Sequence, residues 1–199
     1  MKCIIFTNNQ KKCDELQEIL ASDILDVVRY RDIVGDAIEV IEDGKTFEEN
    51  AFKKVNAIAH LKDAVLVADD SGLEIDCLDG QPGIYSARYG GEALSDSERC
   101  EYVLEQIKDQ TQRHAKFRCV IALIFPTGEQ YCVEGVVEGT LTYEQKGSQG
   151  FGYDPLFIPD GYHETFAELG ANIKHKISHR GQALEKASAL IRKYVDKVE

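Results

Sequence analysis

The chain has 199 residues, the size of one large domain, and 43% of them are apolar, enough to bury a core. We therefore expect a single domain over residues 1–199. Its 35 acidic residues outnumber the 23 basic ones and give a net charge of −12. A field of that sign repels nucleic acids and anionic membranes, which argues against general binders of either. A small anionic ligand is not excluded, because one pocket can hold it against the overall field.

The N-terminal apolar run, Cys3 to Phe6, is too short for a signal peptide, and no stretch approaches the length of a membrane span. We therefore expect a soluble, cytoplasmic protein. Disulfide or metal clusters need closely paired cysteines, and this sequence has no C-x-x-C. Apolar neighbours instead predict that the cysteines are buried, reduced thiols. The six are Cys3, Cys13, Cys77, Cys100, Cys119 and Cys132.

The first part of the chain alternates between strand and helix patterns. Hydrophobic periodicity predicts a buried strand over Lys2–Phe6, a helix over Lys11–Leu20 and a second strand over Ile24–Tyr30. Thr46 and Glu49 have the spacing of a capping box, which predicts that a helix begins there.

The second part adds antiparallel patterns. Ala64–Ala68 and Leu73–Leu78 are apolar and predict two strands on either side of a polar break. Ser95 and Glu98 form another capping box. Three further elements are expected: strands Lys116–Phe125 and Gln130–Glu138, joined as a hairpin, and a last helix over Ser178–Val195. This order favours an α/β fold with a mixed central β-sheet and flanking helices.

The loop between the first strand and the first helix is polar. The start of a helix offers unpaired N–H groups and the positive end of the helix dipole, which together receive anions. A capped turn with solvated lysines is the alternative interpretation. The candidate residues are Thr7, Asn8, Asn9, Gln10, Lys11 and Lys12.

Two adjacent acids, Asp69 and Asp70, follow a buried apolar run. Because successive strand side chains point to opposite faces, we expect the two carboxylates to face different surroundings. Carboxylates at the end of a buried strand suit Mg²⁺, which prefers oxygen ligands. An ordinary Asp-rich turn is the competing interpretation.

The C-terminal third contains a second polar group. Phe151 lies between two glycines, which leaves its ring accessible for stacking on a base. Ser178 is suited to cap the last helix and would place His179 and Arg180 in its first turn, where cations oppose the dipole. A nearby negative or electron-rich group would explain them, and simple solvation is the alternative.

Six motifs together resemble the inosine/xanthosine triphosphate pyrophosphatase family, and they run almost from end to end of the chain. No single motif is specific, but all six occur in the family's order. They are Thr7-x-Asn9-x-x-Lys12, Thr46-Phe47-x-x-Asn50-Ala51-x-x-Lys54, Ala68-Asp69-Asp70-Ser71-Gly72-Leu73, Pro82 to Tyr89, Gly150-Phe151-Gly152-Tyr153-Asp154-Pro155, and Lys174 with Ile177-Ser178-His179-Arg180-Gly181. Asn8 stands where the family commonly has glycine.

This resemblance implies hydrolysis of a nucleoside triphosphate between the α- and β-phosphates. It implies that the loop from Thr7 to Lys12, together with Lys54, binds the triphosphate. Asp70 would be the general base and a Mg²⁺ ligand, Glu42 a second metal ligand, and Asp69 a supporting acid. The remaining expected contacts are Ser71 with the substrate, Phe151, Gly152 and Tyr153 around the purine, and Asp154, Lys174, His179 and Arg180 at its polar edge.

By the same resemblance we expect dITP, ITP and XTP as substrates, two lobes enclosing a cleft, and a homodimer. Two alternatives stay open. One is a house-cleaning pyrophosphatase for another modified nucleotide, such as a pyrimidine. The other is a nucleotide-binding module without turnover, although pure binding has no need of a base such as Asp70 beside the phosphates.

Overall fold

The computed structural model describes residues 1–20, 25–35 and 38–198. Its strands form one six-stranded sheet in the order β2-β1-β3-β4-β5-β6. They are β1 (Lys2–Phe6), β2 (Asp26–Arg29), β3 (Val65–Ile75), β4 (His114–Ile124), β5 (Gln130–Leu141) and β6 (Phe157–Pro159). β1 runs parallel to both β2 and β3, whereas β6 is antiparallel to β5. The predicted mixed sheet is therefore confirmed.

Seven α-helices accompany the sheet within the described ranges. They are α1 (Gln10–Leu20), α2 (Tyr30–Val34), α3 (Phe47–Ala57), α4 (Asp96–Gln106), α5 (Phe166–Leu169), α6 (Ala171–Ile177) and α7 (His179–Val198). None of these helices is long and apolar enough to cross a membrane.

The chain divides into two compact units, each with an apolar core. The first unit comprises Met1–Asp70, Cys119–Gly135 and Arg180–Glu199. Its core joins β1, α1 and α7 through buried side chains such as Ile5, Leu16 and Leu184. These positions follow the helical and strand spacing that the sequence predicts, so burial of apolar side chains fixes the helices of this unit.

The second unit comprises Ser71–Arg118 and Val136–His179. Its core includes Val103 of α4 and Ile107 just after that helix, and it is rich in aromatic rings, with Phe117 packed edge-on against Phe157 at 4.8 Å between centroids. α4 begins with the complete capping box expected of Ser95 and Glu98. This cap satisfies donors at the helix start that would otherwise lack partners.

Several predicted boundaries differ from the structure. The prediction of a polar break between Ala68 and Leu73 was wrong, because β3 is one continuous strand from Val65 to Ile75. Polar side chains remain in an extended backbone here because buried partners satisfy them, so no turn is needed. The second predicted strand ends earlier than expected, since Tyr30 begins α2. Its predicted first residue, Ile24, lies outside the described residues.

Two further expectations need correction. Thr46 Oγ accepts the Glu49 N–H at 3.1 Å, but the Glu49 carboxylate accepts from the Lys45 N–H instead of closing the box on Thr46. Four of the six cysteines are buried and all six are free thiols, but Cys132 is exposed. Cys132 lies in the first residues of β5, where consecutive side chains are exposed, so apolar sequence neighbours did not bury it.

Candidate active site

The turn between β1 and α1 is organised by its own side chains. Asn9 Oδ1 accepts the Lys12 N–H at 3.1 Å, and Thr7 Oγ1 accepts the Asn9 N–H at 3.2 Å. The first of these bonds caps the start of α1 and leaves the helix dipole pointing its positive end at this turn. The other predicted phosphate contacts, Asn8, Gln10 and Lys11, are exposed here. The turn therefore presents polar groups to solvent from a fixed backbone.

Asp69 lies at the centre of a buried ion network in the first unit. Its Oδ2 lies 3.3 Å from the Lys12 ammonium and 3.4 Å from Nη2 of Arg180. Arg180 also donates from Nη1 to Glu15 Oε2 at 2.5 Å. Burial alone would raise the pKa of Asp69, but the charges of Lys12 and Arg180 outweigh it and hold that pKa well below the ordinary value. Asp69 therefore stays ionised.

Asp70 faces a different set of partners, as the strand alternation predicts. Lys54 donates to Asp70 Oδ1 at 2.9 Å, and the amide of Asn50 donates to Oδ2 at 3.2 Å. Both donors lie on α3, one helical turn apart. The Lys54 ammonium also lies 3.2 Å from Glu42 Oε2. The structure thus brings together three residues predicted to act on phosphate and metal: Asp70, Lys54 and Glu42.

The electrostatics of this group suit a base beside a permanent cation. Burial raises the pKa of Asp70, and the charge of Lys54 opposes that rise only in part. Burial would lower the pKa of Lys54, but the carboxylates around it, Asp70 foremost, raise it above the ordinary value. Lys54 therefore remains protonated while Asp70 gains affinity for a proton, which favours its use as a general base.

Glu42 and Asp70 are the residues best placed to hold Mg²⁺. Their carboxylates converge on one ammonium, so they are near enough to share a cation. Among the described residues, no group of three or more His, Cys, Asp or Glu side chains is arranged to hold a metal. Two carboxylates nevertheless fit Mg²⁺, which usually keeps several waters and completes its shell with substrate phosphate oxygens.

The second unit contains the predicted base-reading group. Asp154 Oδ2 accepts the Phe151 N–H at 2.8 Å and the Lys174 ammonium at 2.6 Å. The same ammonium lies 4.5 Å from the centroid of the Phe151 ring. One carboxylate and one cation therefore fix both the backbone and the ring of Phe151, whose side chain is half-buried.

The other predicted contacts of this unit are engaged in packing. Tyr153 is buried and donates its hydroxyl to the Ser86 carbonyl at 2.9 Å. The His179 ring stacks on Phe117 at 4.7 Å between centroids. Gly152 donates its N–H to Asp96 at 2.9 Å, and Ser71 is half-buried at the middle of β3. Arg180 belongs to the first unit, where it pairs with Glu15 and Asp69.

The sequence reasoning gave no role to several residues that contact these groups, among them Asn50, Glu15 and Asp96. Of these three residues, Asn50 could have been recognised from its position in the sequence. It lies with Phe47, Ala51 and Lys54 at helical spacing on the core-facing side of α3, where a polar side chain needs a partner. The other two occupy exposed or half-exposed helix positions that charged residues commonly fill, so nothing in their pattern marked them.

Known proteins match this chain over nearly its whole length. A family model described as the Ham1 family matches residues 3–190. A dITP/XTP pyrophosphatase of Clostridium perfringens is 46% identical over 193 residues, covering 93% of this chain and 94% of its own. The corresponding protein of Exiguobacterium sp. is 48% identical over 192 residues, covering 96% and 97%. The solved Ham1 protein of Staphylococcus aureus superposes with a TM-score of 0.87 at 38% identity, covering 98% of this chain and 100% of its own.

Proposed function

This chain belongs to the Ham1 family, and we propose that it hydrolyses deaminated purine nucleoside triphosphates, dITP, ITP and XTP, to a monophosphate and pyrophosphate with Mg²⁺. Relatives of nearly equal length are named dITP/XTP pyrophosphatase, so the chain is a nucleotide pyrophosphatase, a hydrolase. One observation of the structure supports the proposal most directly. Asp70 and Glu42 converge on the Lys54 ammonium, so the residues that we propose as base and metal ligands lie in one group with a cation.

The phosphate chemistry follows from these charges. A protein of net charge −12 cannot hold a triphosphate by its overall field, so Lys12 and Lys54 must supply local positive charge. Asp70 takes a proton from the attacking water as the water oxygen bonds to the α-phosphorus. The bond from that phosphorus to the bridging oxygen breaks, and pyrophosphate leaves. Mg²⁺ held by Asp70 and Glu42 would neutralise charge on the phosphate oxygens.

The group of Phe151, Asp154 and Lys174 in the second unit is proposed to bind the base of the nucleotide. We propose that a purine stacks on the Phe151 ring, whose centroid lies 4.5 Å from the Lys174 ammonium. The 6-keto oxygen of hypoxanthine or xanthine accepts a hydrogen bond from Lys174, whereas adenine presents an amino donor there. The amino donor of adenine would then face the Lys174 donor with no acceptor between them, and a mismatch of this kind discriminates strongly against the wrong base. Reading of the same edge by Arg180 stays a prediction, since Glu15 and Asp69 hold its guanidinium in this structure.

Other expectations also stay predictions: the homodimer, the cytoplasmic location and the cleft between two lobes. The two rival functions differ in what they require of the chain. A pyrophosphatase for a modified pyrimidine would have to hold a smaller base, whose keto oxygens would also accept from Lys174, so a preference for dTTP over dITP in the assay below distinguishes it. A binding module without turnover would not need a carboxylate whose burial makes it more basic.

A pyrophosphate-release assay with Mg²⁺ tests the proposal. The substrates are dITP, XTP, dGTP, ATP and dTTP at equal concentrations. We expect dITP and XTP to be hydrolysed at least roughly a hundredfold faster than ATP, as judged by kcat/KM, because a hydrogen-bonding site rejects mismatched groups by large factors. Equal rates for dITP and ATP would overturn the substrate assignment. The binding-module alternative predicts no pyrophosphate from any of the five.

A further inference from the structure

Asn50 connects two parts of the phosphate and metal group. Its side chain is fully buried on α3. Its Nδ2 donates to Asp70 Oδ2 at 3.2 Å, and its Oδ1 accepts the Gly44 N–H at 2.8 Å. Gly44 lies two residues after Glu42, so one amide spans from the predicted base to the segment that carries the second metal ligand.

This arrangement is specific to an amide beside a glycine. Asparagine is a poor helix former, and its burial is tolerated only when its polar atoms are bonded. Both bonds here go to segments outside α3, so the side chain does not stabilise its own helix. A Cβ on Gly44 would lie 2.5 Å from Asn50 Oδ1, which means that only glycine permits this approach without displacement.

The two oxygens of Asp70 are thereby held by two different donors of α3. Lys54 holds Oδ1 and Asn50 holds Oδ2, which fixes the rotation of the carboxylate. Lys54 contacts Glu42 directly, while Asn50 anchors the backbone that follows Glu42. Being neutral, the amide orients the carboxylate without adding a second cation that would compete with a metal ion.

We infer that Asn50 is a positioning residue, whose amide sets the spacing and orientation of Asp70 and Glu42 for a divalent cation. This inference rests on the proposed function, in which these two carboxylates hold Mg²⁺. Partners that orient metal ligands typically change metal affinity by about 10- to 100-fold when they are lost. We expect an effect of that size on metal binding from loss of the Asn50 amide.

The test measures Mn²⁺ binding, with Mn²⁺ as the probe for the Mg²⁺ site. Protein saturated with α,β-methylene-dITP, which cannot be cleaved between these phosphates, is titrated with Mn²⁺, and free Mn²⁺ is followed by electron paramagnetic resonance. Asn50→Ala should weaken Mn²⁺ binding at least about tenfold. Gly44→Ala should reproduce the loss while retaining the amide, because the added Cβ displaces it. Asn56→Ala is the matched control, the same change at an exposed position of α3, and should bind Mn²⁺ as the wild type does.

A merely structural role would lower the unfolding temperature of Asn50→Ala while leaving Mn²⁺ affinity at the wild-type value in the folded protein. That result would overturn the inference, as would a Gly44→Ala variant with unchanged affinity. Failure of the proposed function is distinguished by the wild type, which would then release no pyrophosphate from the triphosphates at any Mg²⁺ concentration.

Discussion

The ammonium of Lys54 lies 2.9 Å from Oδ1 of Asp70 and 3.2 Å from Oε2 of Glu42. One buried cation therefore holds together two carboxylates that would otherwise repel each other. In the proposed reaction Asp70 and Glu42 would hold a divalent cation, and Lys54 would meet phosphate oxygens beside them. This relationship makes Asp70 the residue whose removal tests the chemistry most directly.

Replacing Asp70 with asparagine should remove turnover without removing the binding of nucleotide. The amide has the same shape but cannot take a proton from water, so we expect kcat to fall on the order of 10³-fold. Steady-state pyrophosphate release gives kcat, and equilibrium binding of α,β-methylene-dITP gives the affinity. Asp79→Asn, the same change at an exposed turn, should keep the wild-type rate. A wild-type rate in Asp70→Asn would remove Asp70 from the chemistry.

The sequence predicted the grouping of Asp70 and Lys54 only through resemblance, whereas the separation of Asp69 from Asp70 followed from strand geometry alone. Alternation of side chains predicts that neighbouring acids meet different partners, and they do. Hydrophobic periodicity did not predict that β3 continues beyond Ala68. Polar residues in a strand pattern look like a break unless their partners are known, and those partners come from distant segments such as α1 and α3.

Arg180 should contribute strongly to stability because it neutralises two acids within a buried network. Its side chain is 2% exposed, and Arg180→Met would leave Glu15 without this partner and Asp69 with Lys12 as its remaining ion pair. Removing one member of a buried ion network costs about 3 kcal/mol. Urea unfolding followed by circular dichroism should show that decrease in the free energy of unfolding.

The control for Arg180 is Lys108→Met, which removes an exposed ion pair with Glu105 on the protein surface. Such pairs contribute less than about 1 kcal/mol, so this variant should unfold near the wild-type urea concentration. If Arg180→Met and Lys108→Met both unfolded near the wild-type urea concentration, the network around Asp69 would not stabilise the fold. The ratio of dITP to ATP hydrolysis in Arg180→Met separately tests its predicted base-reading role, which requires the ratio to fall.

The contacts that the sequence did not predict share one property: the two residues of each pair are distant in sequence. Asn50 and Asp70 are 20 residues apart, and Glu15 and Arg180 are 165 apart. The capping box of Ser95 and Glu98 was predicted correctly because both partners lie within one helical turn, whereas the same spacing at Thr46 and Glu49 gave only half of a box. Pairing across long separations depends on packing, and no local spacing encodes it.

Gly150→Ala should weaken the binding of purine nucleotides by displacing the Phe151 loop. Gly150 has φ of 77°, and a Cβ there would lie 2.1 Å from Asp154 Oδ2, the atom that holds both Phe151 and Lys174. Displacement on the scale of 1 Å at a positioning group costs up to roughly a hundredfold. We expect KM for dITP to rise at least roughly tenfold with kcat little changed, as measured by pyrophosphate release.

Gly161→Ala is the matched control for this change. Its φ of 84° imposes the same backbone strain, but nothing lies within 4 Å of the added Cβ. It should therefore retain the wild-type KM even where it lowers stability. An unchanged KM in Gly150→Ala would contradict the placement of Phe151 against the base.

Cys132 should be the thiol that reacts first with iodoacetamide, and its rate should depend on pH through Glu48. Cys132 is exposed, whereas burial raises the pKa of Cys3 and Cys119 to about 12. Partial burial and the Glu48 carboxylate, 3.3 Å from Sγ, raise the pKa of Cys132 above the ordinary value. The thiolate is the reactive form, so labelling should accelerate as pH rises through that raised pKa.

The variant Glu48→Gln tests the role of this carboxylate. It removes the negative charge and lowers the pKa of Cys132, so labelling at pH 8 should be faster, as measured by intact-mass spectrometry. Equal rates with and without the Glu48 charge would show that this carboxylate does not control the thiol.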